Sequence, residues 1–127
     1  MTDIERLLTD AELELMRILW DRGEGTVRDV LAHLPPERDL AYTTVSTTLR
    51  ILEGKGFVTA RKEGRSHVYA PAEAKPRYEA RSVRHMLGAL FGGDRLALMR
   101  QLIDPDEVDR DELIELRSLL DARLDDQ

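Results

Sequence analysis

Ala41-Tyr42-Thr43-Thr44-Val45-Ser46-Thr47-Thr48-Leu49-Arg50-Ile51-Leu52-Glu53-Gly54 is the stretch whose pattern decides the fold. Ala41, Val45, Leu49 and Leu52 fall at i, i+4, i+8 and i+11, one continuous apolar stripe of a helix. Thr43, Ser46, Thr47 and Arg50 fall at i, i+3, i+4 and i+7 and make a polar stripe on another face. The spacing predicts a helix from near Leu40-Ala41 to Glu53-Gly54. Thr43, Thr44, Thr47 and Thr48 are poor helix formers, so their number on a wet face points to contact. Short hydroxyl side chains let a backbone approach a surface closely and still offer a hydrogen bond. Tyr42 lies beside this stripe, where it either meets the same surface or packs on its own domain.

Two shorter helices precede this one. Thr9-Asp10-Ala11-Glu12 reads as a capping box, followed by Leu13, Met16, Leu19 and Trp20 at helical spacing, with Gly23 ending the run. Thr26 caps a second helix through Val27, Val30, Leu31 and Leu34, and Pro35-Pro36 stops it. After the third helix come two β-rich runs, Phe57–Lys62 and Ser66–Ala70, around Glu63-Gly64-Arg65. They read as a hairpin with Arg61, Lys62 and Arg65 at its tip and Pro71 at its end. Three helices followed by a basic hairpin make a winged helix-turn-helix. Either piece alone is ordinary, a core helix or a solvated turn. In this order they fit duplex DNA, whose major groove admits one helix.

The expected fold class is therefore mainly α with a small β-hairpin wing. An N-terminal winged helix-turn-helix at residues 1–73 precedes a C-terminal helical dimerisation module at 74–127. Tyr42, Thr43, Thr44, Ser46, Thr47 and Arg50 are the expected DNA-facing positions of the third helix. Arg61, Lys62 and Arg65 are those of the wing, on the adjacent phosphates. Pro76 opens a fourth helix whose apolar face holds Val83, Met86, Leu87, Leu90 and Phe91, with Arg77, Arg81 and Arg84 on a basic face. Gly92-Gly93 breaks it. Leu96, Met99, Leu102 and Ile103 fit a fifth helix, Asp104-Pro105-Asp106 interrupts, and a last helix runs over about 109–124. About 50 residues of short amphipathic helices cannot bury a core alone, and a second copy is the simplest partner. Val83, Met86, Leu87, Leu90, Leu102, Leu113, Leu116 and Leu120 are the expected pairing residues.

Charge tells the same story once it is mapped. The chain's 127 residues carry a net −6, which argues against a polyanion partner. The charge is segregated, however. Residues 40–70 hold five basic against two acidic side chains, and residues 75–100 hold six against two. Residues 101–127 hold three against ten. A local basic face matters more to DNA than the sum does. Sixteen of the 19 basic residues are arginine, the fork-shaped donor suited to phosphate.

Other classes fall away. With no cysteine there is no disulfide framework, thiol nucleophile or thiolate metal site. No apolar run approaches the roughly 20 residues of a membrane-spanning helix, so no membrane insertion is expected. The N-terminus MTDIERLLTD is acidic and amphipathic, unlike a secretory or transit peptide, and a cytoplasmic protein is the default. His33, His67 and His85 sit on three different elements, with no HExxH, phosphate loop or paired carboxylates beside them. No catalysis, metal or cofactor is expected. His67, on the wing, faces solvent or phosphate. The competing function is a protein–protein adaptor that keeps the winged helix but docks partners through its acidic tail.

The same residues resemble the penicillinase-repressor family (BlaI/MecI type) over almost the whole chain. The resemblance rests on Leu8-Thr9-Asp10-Ala11-Glu12 leading into Ile18-Leu19-Trp20. It continues through Ala41–Leu49 into Leu52 and Lys55-Gly56-Phe57-Val58, then Arg65-Ser66-His67-Val68-Tyr69. Gly92-Gly93, Asp111-Glu112-Leu113 and Leu116-Arg117 complete it. The resemblance implies a homodimeric repressor on a palindromic double-stranded DNA operator. The recognition helix would lie at about 41–53, with Thr43, Thr44 and Ser46 foremost at the DNA. It also implies a membrane-bound sensor metallopeptidase as a partner, which cuts antibiotic-responsive members in the dimerisation region. The Asn-Phe bond cut in those members is missing from the matching segment, Ala97–Leu102. The cysteine motif of copper-responsive relatives is missing too, which excludes copper sensing through thiolates and leaves the inducing signal open.

Overall fold

The computed structural model describes residues 7–104 and 106–127. Most of the N-terminal decapeptide and Pro105 of the expected Asp104-Pro105-Asp106 break lie outside the described residues. The chain divides into two compact units, Met1–Ser82 and Val83–Gln127.

The first unit opens with α1 (Asp10–Arg22). Its capping box is formed as the spacing demands: Thr9 Oγ1 accepts from the Glu12 amide and Glu12 Oε1 accepts from the Thr9 amide. A second box, Thr26 with Asp29, starts α2 (Val27–His33). A 3₁₀ turn at Pro36–Arg38 then leads to α3 (Tyr42–Gly54). Val45, Leu49 and Leu52 of α3 are wholly buried, together with Leu15, Met16 and Leu19 of α1, Val30 of α2 and Phe57. Ala41, the expected first member of that stripe, is instead the exposed N-cap.

The wing is β1 (Val58–Glu63) paired antiparallel with β2 (Ser66–Pro71), Val58 opposite Pro71 and Glu63 opposite Ser66. Gly64 and Arg65 make the turn, and Gly64 sits at φ +63°, which suits glycine at the first of two hairpin-turn residues. Phe57 stays out of the strand. It is drawn into the core, and its carbonyl accepts from the Ala72 amide. The wing's root is tied down by Gly25, which exchanges both backbone hydrogen bonds with Tyr69 (2.9 and 2.8 Å). A Cβ at Gly25 would stand 3.1 Å from the Asp29 Cβ and from Arg22 Nε, so a larger residue would make these neighbours give way by a few tenths of an ångström.

Further ties close the unit. The Trp20 indole N–H donates to the Glu73 carbonyl at 2.8 Å, and the Leu8 amide donates to the Tyr78 hydroxyl at 2.9 Å. Arg81 pairs with buried Glu73 and lies 5.6 Å from the ring centres of both Phe57 and Tyr78. Tyr78 and Arg81 belong to α4 (Lys75–Phe91), whose opening turns are therefore part of the first unit.

In the second unit, Gly92 and Gly93 at positive φ end α4. Asp94 caps α5 (Arg95–Ile103), and a capping box of Asp109 with Glu112 starts α6 (Arg110–Asp125). Good caps contrast with poor burial. Leu87 is buried and Leu116 half-buried, whereas Val83, Met86, Leu90, Leu102, Leu113 and Leu120 are exposed, Leu90 to 74%. Among the described residues, the hydrophobic core cluster takes none of its members from this unit.

The buried Glu12 shows how ion pairing supports the first unit. Burial alone would raise its pKa, but the Lys55 ammonium at 2.7 Å and the Thr9 hydrogen bonds outweigh burial and hold it below the ordinary 4.5. A folded-state pKa below the unfolded one stabilises the fold above the unfolded pKa. That contribution disappears as pH falls through the folded value. Lys55→Met is expected to cost about 2 kcal/mol at neutral pH by leaving Glu12 buried without its partner. Urea denaturation across pH 3–7 is the check: the loss of stability below 4.5 that Glu12 contributes should shrink or reverse in the variant, because the folded-state pKa is no longer held down by Lys55.

Candidate nucleic-acid interface

Burial of Val45, Leu49 and Leu52 fixes the rotation of α3 and turns its other side outward. Thr43, Thr44, Thr47 and Arg50 are exposed there, and Ser46 is half-buried beside them. Thr48 is different: its hydroxyl donates to the Thr44 carbonyl at 2.8 Å and is spent inside the helix. The free hydroxyls of the outward face are thus those of Thr43, Thr44 and Thr47. The first turn of α3 carries no acidic residue, whereas α1, α2 and α6 each hold a carboxylate in theirs. Nothing negative stands at the start of this helix to repel a phosphate.

Tyr42 is 47% exposed, and the Arg28 guanidinium lies 5.6 Å over its ring. A cleft of about 250 Å³ opens between the start of α2, α3 and the wing. Thr26, Arg28, Tyr42, Arg50, Arg65 and His67 line it, with no carboxylate among its described lining residues. Arg65 reaches it from the hairpin turn. Lys62 borders a neighbouring depression with Arg50 and His67. The fold therefore brings Tyr42, Ser46, Arg50 and Arg65 to one cleft, leaves Thr43, Thr44 and Thr47 on the open helix face, and sets Lys62 next door.

Arg61 differs from the expectation. It is not at the hairpin tip but four residues from the turn's far side, paired with Val68 in the sheet register. Its guanidinium makes a bidentate pair with Glu24 (2.6 and 2.9 Å) and a third bond to Glu63 at 3.1 Å. The hydrogen bonds that Arg61 donates depress the Glu24 pKa, and their acceptors, Glu24 and then Glu63, raise the Arg61 pKa. This side chain latches the wing to the α1–α2 loop. Arg28 is the cleft cation that the sequence left unassigned, while His67 lines the cleft from the wing, where solvent or phosphate was expected. The available signal for Arg28 was a basic residue on α2 flanking the apolar Val27, Val30 and Leu31.

Comparison with known proteins agrees with this geometry. The penicillinase repressor family model matches residues 8–122. The chain belongs to the penicillinase-repressor family. It is 26% identical to the penicillinase repressor of Bacillus licheniformis over 90% of this chain and 89% of that one. It is 45% identical to the transcriptional regulator BlaI of Mycobacterium tuberculosis over 54% of this chain and 50% of that one. Among solved structures, the DNA-binding domain of the repressor BlaI superposes with a TM-score of 0.52 at 32% identity. That match covers 59% of this chain and 90% of the domain. Family and fold make this chain a DNA-binding winged-helix transcriptional repressor, not an enzyme. Among the described residues, no helix is long and apolar enough to cross a membrane.

If Arg61 is a latch, Arg61→Ala and Glu24→Gln should each speed amide exchange in β1 and β2. The double variant should be no worse than either single one, because both remove the same contact. Hydrogen-exchange mass spectrometry of the three variants tests this. Additive effects would show that the two residues act separately.

Proposed function

We propose that the chain binds a palindromic promoter operator as a homodimer and represses the gene behind it. The observation that carries this proposal is the acid-free basic cleft beside the exposed threonine face of α3. In this proposal α3 enters the major groove. Thr43, Thr44, Ser46 and Thr47 stand at base edges, Arg50 at a base or phosphate, and Arg65 and Lys62 on the neighbouring backbone. The exposed leucines of the second unit support pairing, since faces such as that of Leu90 and Leu120 are stable only when covered. Two half-sites held by one dimer bind as a unit, which raises operator affinity far above that of one half-site.

Release then follows from anything that weakens pairing. A membrane-bound sensor metallopeptidase is the proposed partner by kinship with antibiotic-resistance repressors. The segment Ala97–Leu102 lies within α5 and has no Asn-Phe bond, so a different bond or a different signal would act here.

Binding to the chain's own upstream region is expected to prefer a dyad over random duplex of the same length. Thr43→Ala with Thr47→Ala should erase most of that preference, by about 1–3 kcal/mol per lost base contact. Leu90→Asp should convert dimer to monomer in sedimentation. It should lower full-operator affinity by about 100-fold or more while leaving half-site binding unchanged. Fluorescence anisotropy on full and half operators measures both, and a wild-type chain without dyad preference would falsify the proposal.

A further inference from the structure

Three arginines, Arg28, Arg50 and Arg65, line one cleft and have no carboxylate at salt-bridge distance among the described residues. Arg22, Arg38, Lys55, Arg61 and Arg81 each have such a partner. Cations gathered in one cleft without carboxylates, with His67 beside them, make a local positive field that attracts an anion from outside. Arg28 is also held in place. An exposed arginine ordinarily sweeps many rotamers, but this guanidinium sits 5.6 Å over the Tyr42 ring. A cation–π contact of this kind restrains the guanidinium without using any of its N–H donors. A planar fork pre-set in this way suits two oxygens of a phosphate.

Thr43 and Thr47 are not among the residues lining this cleft. The cleft adjoins the open face of α3 that would read bases and shares Ser46 and Arg50 with it, whereas Arg28 comes from α2. Resting on the operator proposal above, we propose that this cleft grips a phosphodiester of the DNA backbone. Arg28 donates to the phosphate oxygens, and Tyr42 is the positioning residue that holds Arg28 ready. Tyr42 then acts on DNA through Arg28, and the grip adds affinity without sequence preference.

The experiment is fluorescence anisotropy of the full chain on its own operator and on a random duplex, across 50–200 mM salt. One lost phosphate contact makes the log–log salt slope shallower by about 0.9. Over a fourfold salt range, that shrinks the salt-induced loss of affinity by about 3.5-fold. Arg28→Gln is expected to show this change on both duplexes and to keep the ratio between them. Tyr42→Phe keeps the ring and the wild-type slope. Tyr42→Ala shifts the slope toward that of Arg28→Gln, and the double variant is no shallower than Arg28→Gln alone.

A wild-type slope in Arg28→Gln, or a changed operator-to-random ratio, overturns the phosphate contact. A wild-type slope in Tyr42→Ala overturns the positioning role. Neutral methylphosphonates placed singly along the operator give a check that needs no variant: the wild-type chain should lose affinity at a discrete phosphate in each half-site. Because the slope is also read on random duplex, failure of the operator proposal leaves this test intact. In a last arm, inorganic phosphate competes against chloride at equal ionic strength. Displacement by phosphate beyond that by chloride, lost in Arg28→Gln, supports a DNA phosphodiester as the occupant. Phosphate that binds at Arg28 in the DNA-free chain without displacing either duplex assigns the cleft to free phosphate and overturns the proposal.

Discussion

The withdrawal of Val45, Leu49 and Leu52 from water is the constraint on which the rest of the winged helix depends. Each buried aliphatic side chain of this size contributes roughly 1.5–3 kcal/mol. Turning α3 about its axis would forfeit several of these at once. The helix is therefore locked with Thr43, Thr47 and Arg50 outward, and the polar face needs no stabilising contacts of its own. The wing is positioned by the same economy of parts. Val58, Val68 and Tyr69 are buried, and Gly25 clamps Tyr69 through the backbone. The cleft between α3 and the wing is a consequence of those two placements.

An acidic chain must keep its carboxylates away from the surface that meets a polyanion, and pairing does much of this. Glu24 is bound by Arg61, Glu14 by Arg38, Glu12 by Lys55 and Glu73 by Arg81. Each pair spends a cation on a neighbouring anion, while Arg28, Arg50 and Arg65 gather at the cleft with no carboxylate at salt-bridge distance among the described residues. The exposed pairs among them, Arg61 with Glu24 and Arg38 with Glu14, add little to stability. Their effect on the distribution of charge is larger, since the cleft holds no acid among its described lining residues. Net charge describes none of this, because a polyanion responds to the local basic face more than to the sum over the chain.

Local signals made most of the fold legible. Thr9 with Glu12 and Thr26 with Asp29 are capping residues three apart, so the helix starts could be read from neighbours in sequence. The stripe of α3 and the glycine of the hairpin turn are local too. What escaped was non-local. Arg61 and Glu24 are 37 residues apart, so nothing near the hairpin in sequence shows that this basic residue is tied to a carboxylate of the α1–α2 loop. Gly25 and Tyr69 meet across 44 positions through backbone groups that leave no side-chain pattern. Arg28 and Tyr42 belong to different helices, and only the packing of α2 on α3 brings them into register. The threonine face was readable because it lies on one element; the cleft was not, because it takes residues from three.

The two units solve opposite problems, and the contrast bears on how a repressor of this design is switched. The first unit has its own core and can hold the DNA-facing side chains in place without help. The second is well capped yet leaves Leu90, Leu102 and Leu124 largely exposed, so its apolar surface is free to stabilise an assembly. Under the proposed function, affinity for one half-site comes from the first unit and the gain from joining two comes from the second. A signal then need not touch the DNA-facing residues at all. Weakening the pairing of exposed leucines multiplies down operator occupancy by the lost effective concentration, while α3 and the wing keep their geometry. Sequence preference and release are thereby separable properties, carried by residues that share no core.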